Sequence, residues 1–326
     1  MKKNRFPDKD KIKIQFSHVA YRMAERFSMR DTGIYHYQTW TEEETLLKIS
    51  QCDVLVISGF WNNALLEDAK NLKYVQSIGA GYDQFPLEEL KMRGIRLVNA
   101  KGVNTNAVAE HALSLMLALT RQVHISRDNQ INSFWRGMLG DISLREDELL
   151  EKTVLIVGMG NIGSRLAKFA KALDMRVLGV KRDTLHVNGP VDEIYSPGEL
   201  LNAVGEADYV VLTCPLTPET ENIVDKDFIN QMKQSAYFIN VARGGCVDEQ
   251  SLINALNSKK IAGAAIDHFK DEPLKKTSFF WKIPNLIITP HTAGETRLYE
   301  ERVIDITLEN LDRLWRNETD LIHQIV

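Results

Sequence analysis

The amino-acid sequence predicts a two-domain α/β protein. Short apolar strands alternate with helical patterns along the chain, which is typical of parallel sheets covered by helices. A second such series begins at the turn Gly158-Met159-Gly160-Asn161-Ile162-Gly163, directly after an apolar run. With 326 residues, the chain is also longer than one hydrophobic core usually serves. We predict a doubly wound Rossmann-type sheet at residues 102–292, inserted in a flavodoxin-like α/β domain of residues 1–101 and 293–326.

The first domain is expected to contain four strands separated by helices. Alternating or continuous apolar residues predict strands at 12–16, 54–57, 74–78 and 95–98. Helical spacing predicts helices at 41–50, 64–69 and 86–93, with Pro86 suited to a first helical turn. The last segment, 296–316, has the pattern of another helix, and we expect it to return to this domain.

The second domain is expected to begin with one long helix at 106–127. This helix has more apolar positions than a single solvated face needs, so we expect it to pack on a domain neighbour or a second subunit. The pattern then predicts strands at 154–157, 176–180, 209–213, 237–240, 262–266 and 286–288, and helices at 164–173, 196–204, 225–232 and 249–258.

Composition and charge do not indicate nucleic acid or a membrane as a partner. The formal net charge of −4 offers no surplus of cations for phosphates or anionic lipids. The basic N-terminal segment is followed by no apolar stretch, so we expect no signal peptide. The longest apolar helical segment, 111–119, is far shorter than the ~20 residues that span a bilayer. Cys52, Cys214 and Cys246 cannot all pair, so we expect a reduced, cytoplasmic setting.

The turn at residues 158–163 is suited to a dinucleotide. Its first glycine permits a tight turn, the second lets backbone approach a pyrophosphate, and the third lets the following helix pack on the strand. The N-terminus of that helix directs its N–H groups at the phosphates. An ordinary strand-to-helix turn is the alternative, but the strand-turn-helix context favours dinucleotide binding.

Two cations after the second strand of this series bear on which dinucleotide is bound. An acidic residue about 20 positions after the turn usually accepts a hydrogen bond from the ribose of NAD. Here Lys181 lies 18 residues after Gly163, and Arg182 follows it. Because two cations suit a 2′-phosphate, we predict NADP(H) as the preferred cofactor, with NAD(H) as the alternative. In that alternative the basic loop is solvated and Asp183 serves the ribose.

Three later segments place reactive side chains after the carboxyl ends of predicted strands. Arg243 follows the strand at 237–240, and His291 follows the strand at 286–288. Asp267 stands at the end of the predicted strand at 262–266, and Glu272 lies five residues later. Open α/β sheets bind ligands at this edge. An arginine, a carboxylate and an imidazole together can bind and reduce a 2-oxo acid.

Several motifs together resemble those of the D-isomer-specific 2-hydroxyacid dehydrogenases. In that family's order and spacing, the chain has S-I-G-A-G-Y-D at 77–83, N-T-N-A-V-A-E-H at 104–111, the glycine turn at 158–163, C-P-L-T-P-E-T at 214–220, N-V-A-R-G-G-C-V-D-E at 240–249, A-A-I-D-H-F-K-D-E-P-L at 264–274 and T-P-H-T-A-G at 289–294. The resemblance covers nearly the whole chain. It implies an oxidoreductase that transfers a hydride between NADP(H) or NAD(H) and a 2-oxo or D-2-hydroxy acid.

The resemblance implies three catalytic roles. Arg243 would hold the substrate carboxylate in a bidentate grip, and its charge would favour the alkoxide that develops during hydride transfer. His291 would exchange a proton with the 2-oxygen. Glu272 would pair with His291, raising the pKa of the imidazole and fixing its tautomer.

The resemblance also places residues around the cofactor and the substrate. Asp267 would lie near the nicotinamide end of the cofactor. The turn Gly79-Ala80-Gly81 would hold the other side of the substrate carboxylate as a nest of backbone N–H groups, a plain glycine turn being the alternative. Further predicted cofactor contacts, besides the glycine turn and the two cations, are Cys214, Pro215, Thr220, Val241, Ala242 and Gly294.

The histidines outside the proposed triad are interpreted as structural or solvated. His268 departs from the family, which more often has a small apolar residue there, and this bears on the packing of its loop rather than on the triad. We predict no metal site, because the other histidines lack matched ligand spacing: His18, His36, His111, His124, His186 and His323.

The loop after the strand at 54–57 bears on the substrate. Phosphoglycerate dehydrogenases place a basic residue there for the phosphate, whereas this chain offers Phe60 and Trp61. A phosphate without a cation would be poorly held, so we predict an unphosphorylated 2-oxo acid with both aromatic rings lining its side-chain pocket. The alternative is that the rings belong to the core under the loop.

Other functions remain as alternatives at this point. A glyoxylate or hydroxypyruvate reductase lies within the same chemistry. Formate dehydrogenases carry Gln where this chain has Glu272, which argues against that activity. A dinucleotide-sensing corepressor is an alternative of another class. The family resemblance further implies a homodimer formed through the helix near 106–127.

Overall fold

The computed structural model describes residues 6–326, which form two compact units. One unit contains the chain up to Asn104 together with Thr296–Val326, and the other contains Thr105–Glu295. Each unit has a parallel sheet covered by helices. The predicted α/β fold class is therefore confirmed.

The first unit contains a five-stranded parallel sheet in the order β2-β1-β3-β4-β5. This is the strand order of flavodoxin-like folds. Alternate residues of the central strand enter two different cores, because successive side chains point to opposite faces of a sheet. The strands are β1 Lys13–Ser17, β2 Tyr35–Thr39, β3 Val54–Ile57, β4 Tyr74–Ser77 and β5 Arg96–Val98.

The helices of the first unit lie on both faces of this sheet. The C-terminal helix α11, Tyr299–Trp315, packs Val303, Ile304 and Leu311 into the same core as β1 and β3. The others are short: α1 Met23–Ser28, α2 Glu42–Lys48, α3 Leu65–Asp68 and α4 Leu87–Met92. The sequence-based expectations did not include α1 and β2.

The second unit contains a seven-stranded parallel sheet in the order β12-β11-β10-β9-β6-β7-β8. Chain order reverses at β6, as in doubly wound dinucleotide-binding sheets. Leu155 and Val157 of β6 enter one core, and Val154 and Ile156 enter the other, so both faces are covered. The strands are β6 Thr153–Val157, β7 Arg176–Val180, β8 Glu193–Tyr195, β9 Tyr209–Leu212, β10 Tyr237–Asn240, β11 Gly263–Ile266 and β12 Leu286–Ile288.

The prediction of one helix over 106–127 is wrong. The chain forms two helices that separate at Gln122, whose φ of +51° is left-handed and cannot continue a right-handed helix. The helices of this unit are α5 Thr105–Thr120, α6 Val123–Ile131, α7 Asn161–Lys171, α8 Leu200–Glu206, α9 Lys226–Gln231 and α10 Glu249–Asn257.

Most apolar side chains of α5 are buried within its own unit. Val108, Leu115 and Met116 share a core with β6 and with Leu166 of α7. Within this unit, a concentration of exposed large apolar side chains instead follows α5, in α6 and the segment up to Leu150. Among residues 6–326, no helix is long and apolar enough to cross a membrane.

Candidate active site

Three loops meet at the carboxyl edge of the second unit's sheet. β10, β11 and β12 are neighbours, with Asn240 aligned to Ile266 and Ile266 aligned to Ile288. Arg243 comes three residues after β10, and His291 comes three residues after β12. The parallel register therefore brings the two loops to the same edge, on either side of the β11 loop.

Glu272 and His291 form a direct pair. The His291 Nδ1 atom lies 2.6 Å from Glu272 Oε2, and 54% and 33% of the two side chains are exposed. His291 has a φ of +56°, a conformation that costs energy for a side chain without special tolerance for it. The backbone N–H of His291 donates to the Asp267 carbonyl at 2.9 Å and holds this turn in place.

Glu272 is held as a carboxylate. Partial burial raises its pKa, but the hydrogen bonds from His291 and from the Phe269 N–H outweigh burial and leave the pKa below its ordinary value. The Phe269 bond to Oε1 measures 2.9 Å. One oxygen of Glu272 is thus fixed by the backbone, and the other faces His291, which fixes the imidazole as well.

His268 packs directly against this pair. Its ring centroid lies 3.8 Å from that of His291, and its Nδ1 atom lies 3.8 Å from Glu272 Oε1. The side chain is only 7% exposed. The pKa of His268 is lowered to about 4, chiefly by burial and also by the nearby His291 and Arg243, against the opposing charges of Asp267 and Glu272. His268 is therefore a neutral imidazole at neutral pH.

Asp267 organises the loop that carries His291. Its fully buried carboxylate accepts a hydrogen bond from the Thr289 hydroxyl at 2.6 Å and from the N–H groups of Thr292 and Ala293 at 2.9 and 3.0 Å. A buried carboxylate needs such partners to be stable. The sequence prediction placed Asp267 near the nicotinamide; the structure shows its contacts to this loop.

His111, interpreted from the sequence as structural or solvated, belongs to the same network. Its Nε2 atom lies 3.0 Å from the Thr289 hydroxyl and 3.7 Å from Asp267 Oδ1. Burial lowers the pKa of His111, with the charge of Asp267 acting against this effect. The motif at 104–111 in the resemblance was the signal that could have identified it.

Asn240 shapes the turn that presents Arg243. Its fully buried side chain accepts from the Ala242 N–H and donates to the Arg243 carbonyl, both at 3.0 Å. The exposed guanidinium donates to the Ala242 carbonyl at 2.7 Å through one of its nitrogens. Asn240 thus fixes the backbone of this turn, and the turn orients the remaining N–H donors of the guanidinium.

The glycine turn has the geometry that a pyrophosphate needs. Gly158 has a φ of +110°, and a Cβ there would lie 2.6 Å from the Cys214 nitrogen. A Cβ at Gly163 would lie 2.4 Å from the Gly158 carbonyl, so this glycine permits the contact of helix with strand. At Gly160, the N-cap of α7, a Cβ would meet open space. Met159 is buried, and Asn161 and Ile162 open α7. These residues fit a dinucleotide phosphate.

The segment after β7 carries the two predicted cations. The Lys181 ammonium donates to the His186 carbonyl. The Asp183 carboxylate lies 2.8 Å from His186 Nδ1 and is thereby engaged within its own loop. The pKa of Glu219 is lowered chiefly by the Thr217 hydroxyl and also by the charge of Arg182, so Arg182 lies near that acid.

The remaining predicted cofactor contacts follow β9 and β10 along the chain, except Gly294, which follows β12. The Thr220 hydroxyl donates to the Pro215 carbonyl at 2.6 Å, so it stabilises its own loop. The pKa of Cys214 is raised by a hydrogen bond with Cys246 and by burial, which keeps this thiol neutral. Val241 and Ala242 are buried, and Gly294 follows the Asp267-bound loop.

The residues predicted to contact substrate from the first unit have two different environments. The carbonyls of Gly79, Ala80 and Gly81 accept hydrogen bonds from Ser77, Asn99 and Ala100. Within residues 6–326, the N–H groups of this turn donate to no protein acceptor. Trp61 is buried against Phe85, with a ring distance of 4.7 Å, whereas Phe60 is only partly buried. Trp61 therefore belongs to the core of its unit.

The family model described as "D-isomer specific 2-hydroxyacid dehydrogenase, NAD binding domain" matches residues 113–293. The chain belongs to this family. It is an NAD(P)-dependent oxidoreductase of 2-hydroxy acids, as the sequence predicted, and the corepressor alternative is not favoured. A nicotinamide dinucleotide is the cofactor of this class of domain.

Individual relatives agree with this assignment. The chain is 34% identical over 303 residues to a glyoxylate reductase of Pyrococcus furiosus, covering 87% of each chain. It is 34% identical to a D-3-phosphoglycerate dehydrogenase of Methanocaldococcus jannaschii, covering 85% of this chain and 52% of that one. The solved structure of the TT0316 protein of Thermus thermophilus is similar with a TM-score of 0.81 and 28% identity, covering 97% of this chain and 100% of that one.

Proposed function

We propose that this protein reduces a small, unphosphorylated 2-oxo acid to the D-2-hydroxy acid, with Arg243, Glu272 and His291 as its catalytic residues. The observation that carries the proposal is the 2.6 Å pair of Glu272 and His291 on the sheet edge that also presents Arg243. The bound nicotinamide supplies or accepts the hydride. The protein supplies orientation, charge and a proton.

His291 serves as the proton donor for reduction and the acceptor for oxidation. Because Nδ1 faces Glu272, the other ring nitrogen, Nε2, is the one that exchanges a proton with the 2-oxygen. The carboxylate stabilises the imidazolium needed before reduction, and it holds the ring in one orientation. Glu272 is suited to this task because its pKa lies below its ordinary value, so it is ionised at neutral pH.

Arg243 binds the substrate carboxylate and stabilises developing negative charge. Its planar fork matches two carboxylate oxygens, which a lysine cannot reproduce. The buried Asn240 fixes the turn behind it through hydrogen bonds to both flanking backbone groups. A pre-organised charge in a site that excludes water stabilises the transition state more than the same charge would in water. The N–H groups of the Gly79–Gly81 turn give the first unit an anion-binding nest, which we propose as a further carboxylate partner.

The proposed substrate class rests on the relatives and on the sequence. Similarity to glyoxylate reductases over most of both chains favours a short 2-oxo acid such as glyoxylate or hydroxypyruvate. Phe60, the less buried of the two loop aromatics, is our proposed contact for a larger substrate side chain.

The cofactor domain and the substrate domain are proposed to divide the chain near residues 102 and 292. The reduced cysteines favour a cytoplasmic setting.

We propose NADP(H) as the preferred cofactor, because Lys181 and Arg182 leave β7 where a 2′-phosphate would be bound. Arg182→Ala is expected to raise the KM for NADPH by about ten- to a hundredfold, the value of hydrogen bonds to a charged group. The KM for NADH should change little. Steady-state kinetics with both cofactors measures this.

Lys171→Ala is the matched control for Arg182→Ala. Lys171 ends α7, at the opposite end from the glycine turn, and its ammonium pairs with Asp192. Its replacement should leave both KM values unchanged. An equal effect of Arg182→Ala on NADPH and NADH, or a wild-type enzyme that uses NADH better, contradicts the NADP(H) assignment.

We also propose a homodimer, formed through α5, α6 and the segment after them. This region exposes a series of large apolar side chains that a monomer rarely leaves in water. Three of them are strongly exposed, Trp135 at 94%, Met138 at 103% and Ile142 at 77%. The others are Leu117, Val123, Ile125, Ile131, Phe134, Leu144 and Leu150.

Trp135→Asp is expected to weaken the dimer by about 30-fold or more, because an anchoring Trp typically contributes about 2 kcal/mol to an interface. Sedimentation velocity or light scattering over a range of protein concentrations measures this. The control is Met92→Asp, an exposed apolar residue at the end of α4 in the first unit. A monomeric wild type, or a Trp135→Asp variant as dimeric as the control, would remove the proposed interface.

A further inference from the structure

His268, Glu272 and His291 form a cluster that the proposed reaction does not require in full. One ligand-type atom of each residue lies within 4.8 Å of those of the other two. The proposed proton exchange uses Glu272 and His291, whereas His268 has no role in it. His268 stands where this family more often has a small apolar residue, which could not bind an ion.

The donor set is one that Zn²⁺ prefers. Two imidazoles and one carboxylate are the protein ligands of many open, four-coordinate zinc sites, with a water in the fourth position. Tetrahedral ligands at the usual bond lengths lie about 3.3 Å apart. Glu272 and His291 are already 2.6 Å apart, and the His268 and Glu272 atoms are separated by 3.8 Å. Rotations of the partly exposed Glu272 and His291 side chains can lengthen the 2.6 Å separation and shorten the 3.8 Å separation toward this value.

The surroundings of His268 also suit a ligand. Its Nε2 atom lies 3.6 Å from the carboxylate of Asp267, while Nδ1 faces Glu272. A carboxylate on the far side of the ring leaves the nitrogen on the near side available to an ion. Asp267 is itself fixed by Thr289, Thr292 and Ala293, so this outer partner is rigid.

The charges around the cluster partly cancel. Glu272 and Asp267 contribute two carboxylates, and Arg243 contributes one cation close enough to His268 to affect its pKa. The nearby carboxylates outnumber the cation, which favours a divalent ion. The more exposed His291 and Glu272 leave the cluster open to solvent on one side, so an ion can enter.

We propose that His268 turns the Glu272–His291 pair into a reversible, inhibitory Zn²⁺ site. The ion would take the Glu272 oxygen and the His291 nitrogen that otherwise bond to each other. His291 would then lose its carboxylate partner, and the imidazolium required for reduction could not form beside the ion. The inhibition rests on the proposed function of this pair, whereas the binding of the ion does not.

The test is isothermal titration of the untagged, chelator-treated full chain with ZnCl2, without cofactor or substrate. Wild type is expected to bind one Zn²⁺ per chain at this site, and His268→Val is expected to lower the affinity by at least about tenfold. Glu272→Gln, which removes a second ligand, should weaken binding as well. His323→Asn is the control, because His323 lies in the first unit and its φ of +57° suits Asn.

Circular dichroism melting establishes whether each variant is folded. If His268→Val does not fold, Glu272→Gln provides the test of the site. Equal Zn²⁺ affinity in wild type and in a folded His268→Val or Glu272→Gln variant would overturn the site. Turnover of 2-oxo acids is measured in parallel. If the protein binds Zn²⁺ through His268 but turns over no 2-oxo acid, only the proposed function is overturned. If the enzyme is active and Zn²⁺ binds without inhibiting it, the inhibitory role is overturned.

Discussion

His291→Asn is expected to lower kcat for 2-oxo acid reduction by about two to four orders of magnitude, the usual contribution of a general acid. Asn is chosen because it tolerates the left-handed backbone that His291 adopts, with φ at +56°. The amide cannot donate a proton to the developing alkoxide. Stopped-flow and steady-state measurements of nicotinamide oxidation give the effect on kcat.

Glu272→Gln is the companion variant, because it keeps the shape of the side chain but removes its charge. The imidazolium would then form less readily, so kcat for reduction should fall, and the loss of activity with rising pH should begin at a lower pH than in wild type. The dinucleotide should bind both variants as it binds wild type, since the glycine turn is untouched. Full activity in a folded His291→Asn variant would exclude His291 as the proton donor.

Arg243→Lys is expected to lower kcat/KM by about a hundredfold or more, even though the charge is kept. A lysine presents a point charge and lacks the planar fork that fits a carboxylate. Small errors in substrate position are costly, since about 1 Å of misplacement can cost a hundredfold in rate. Kinetics over a range of 2-oxo acid concentrations separates the effects on kcat and KM.

Arg176→Lys is the matched control for Arg243→Lys. Arg176 begins β7, at the amino edge of the same sheet, and pairs with Glu193 and Glu206. Its replacement should leave kcat/KM unchanged. If Arg243→Lys behaves like this control, the substrate carboxylate is bound elsewhere.

The sheets of both units were predictable because their strands are buried on both faces and read as apolar runs. The missed elements have weaker signals. β2 is an edge strand of mixed polarity, Y-H-Y-Q-T, and β8 has only three residues. In α1, only Met23 and Phe27 are buried, which is too short a pattern to identify a helix from sequence.

The candidate site was only partly predictable. Arg243, Glu272 and His291 could be named because each follows a strand end within a motif. The contacts that support them could not be predicted, because they depend on how a turn folds or on which distant segments meet. Asn240 orders the Arg243 turn, and His111 reaches Thr289 over 178 residues of sequence. The break at Gln122 was hidden because the apolar pattern continues across it.

One measurement tests the central proposal most directly: turnover of reduced nicotinamide by the purified protein with a panel of 2-oxo acids. The panel should contain glyoxylate, hydroxypyruvate, a branched-chain, an aromatic and a phosphorylated 2-oxo acid, each with NADPH and with NADH. We expect turnover of unphosphorylated acids, a D-configured product where the product is chiral, and a loss of that turnover in His291→Asn. Turnover that survives in a folded His291→Asn variant, or no turnover of any member of the panel, would contradict the proposed role of the Glu272–His291 pair.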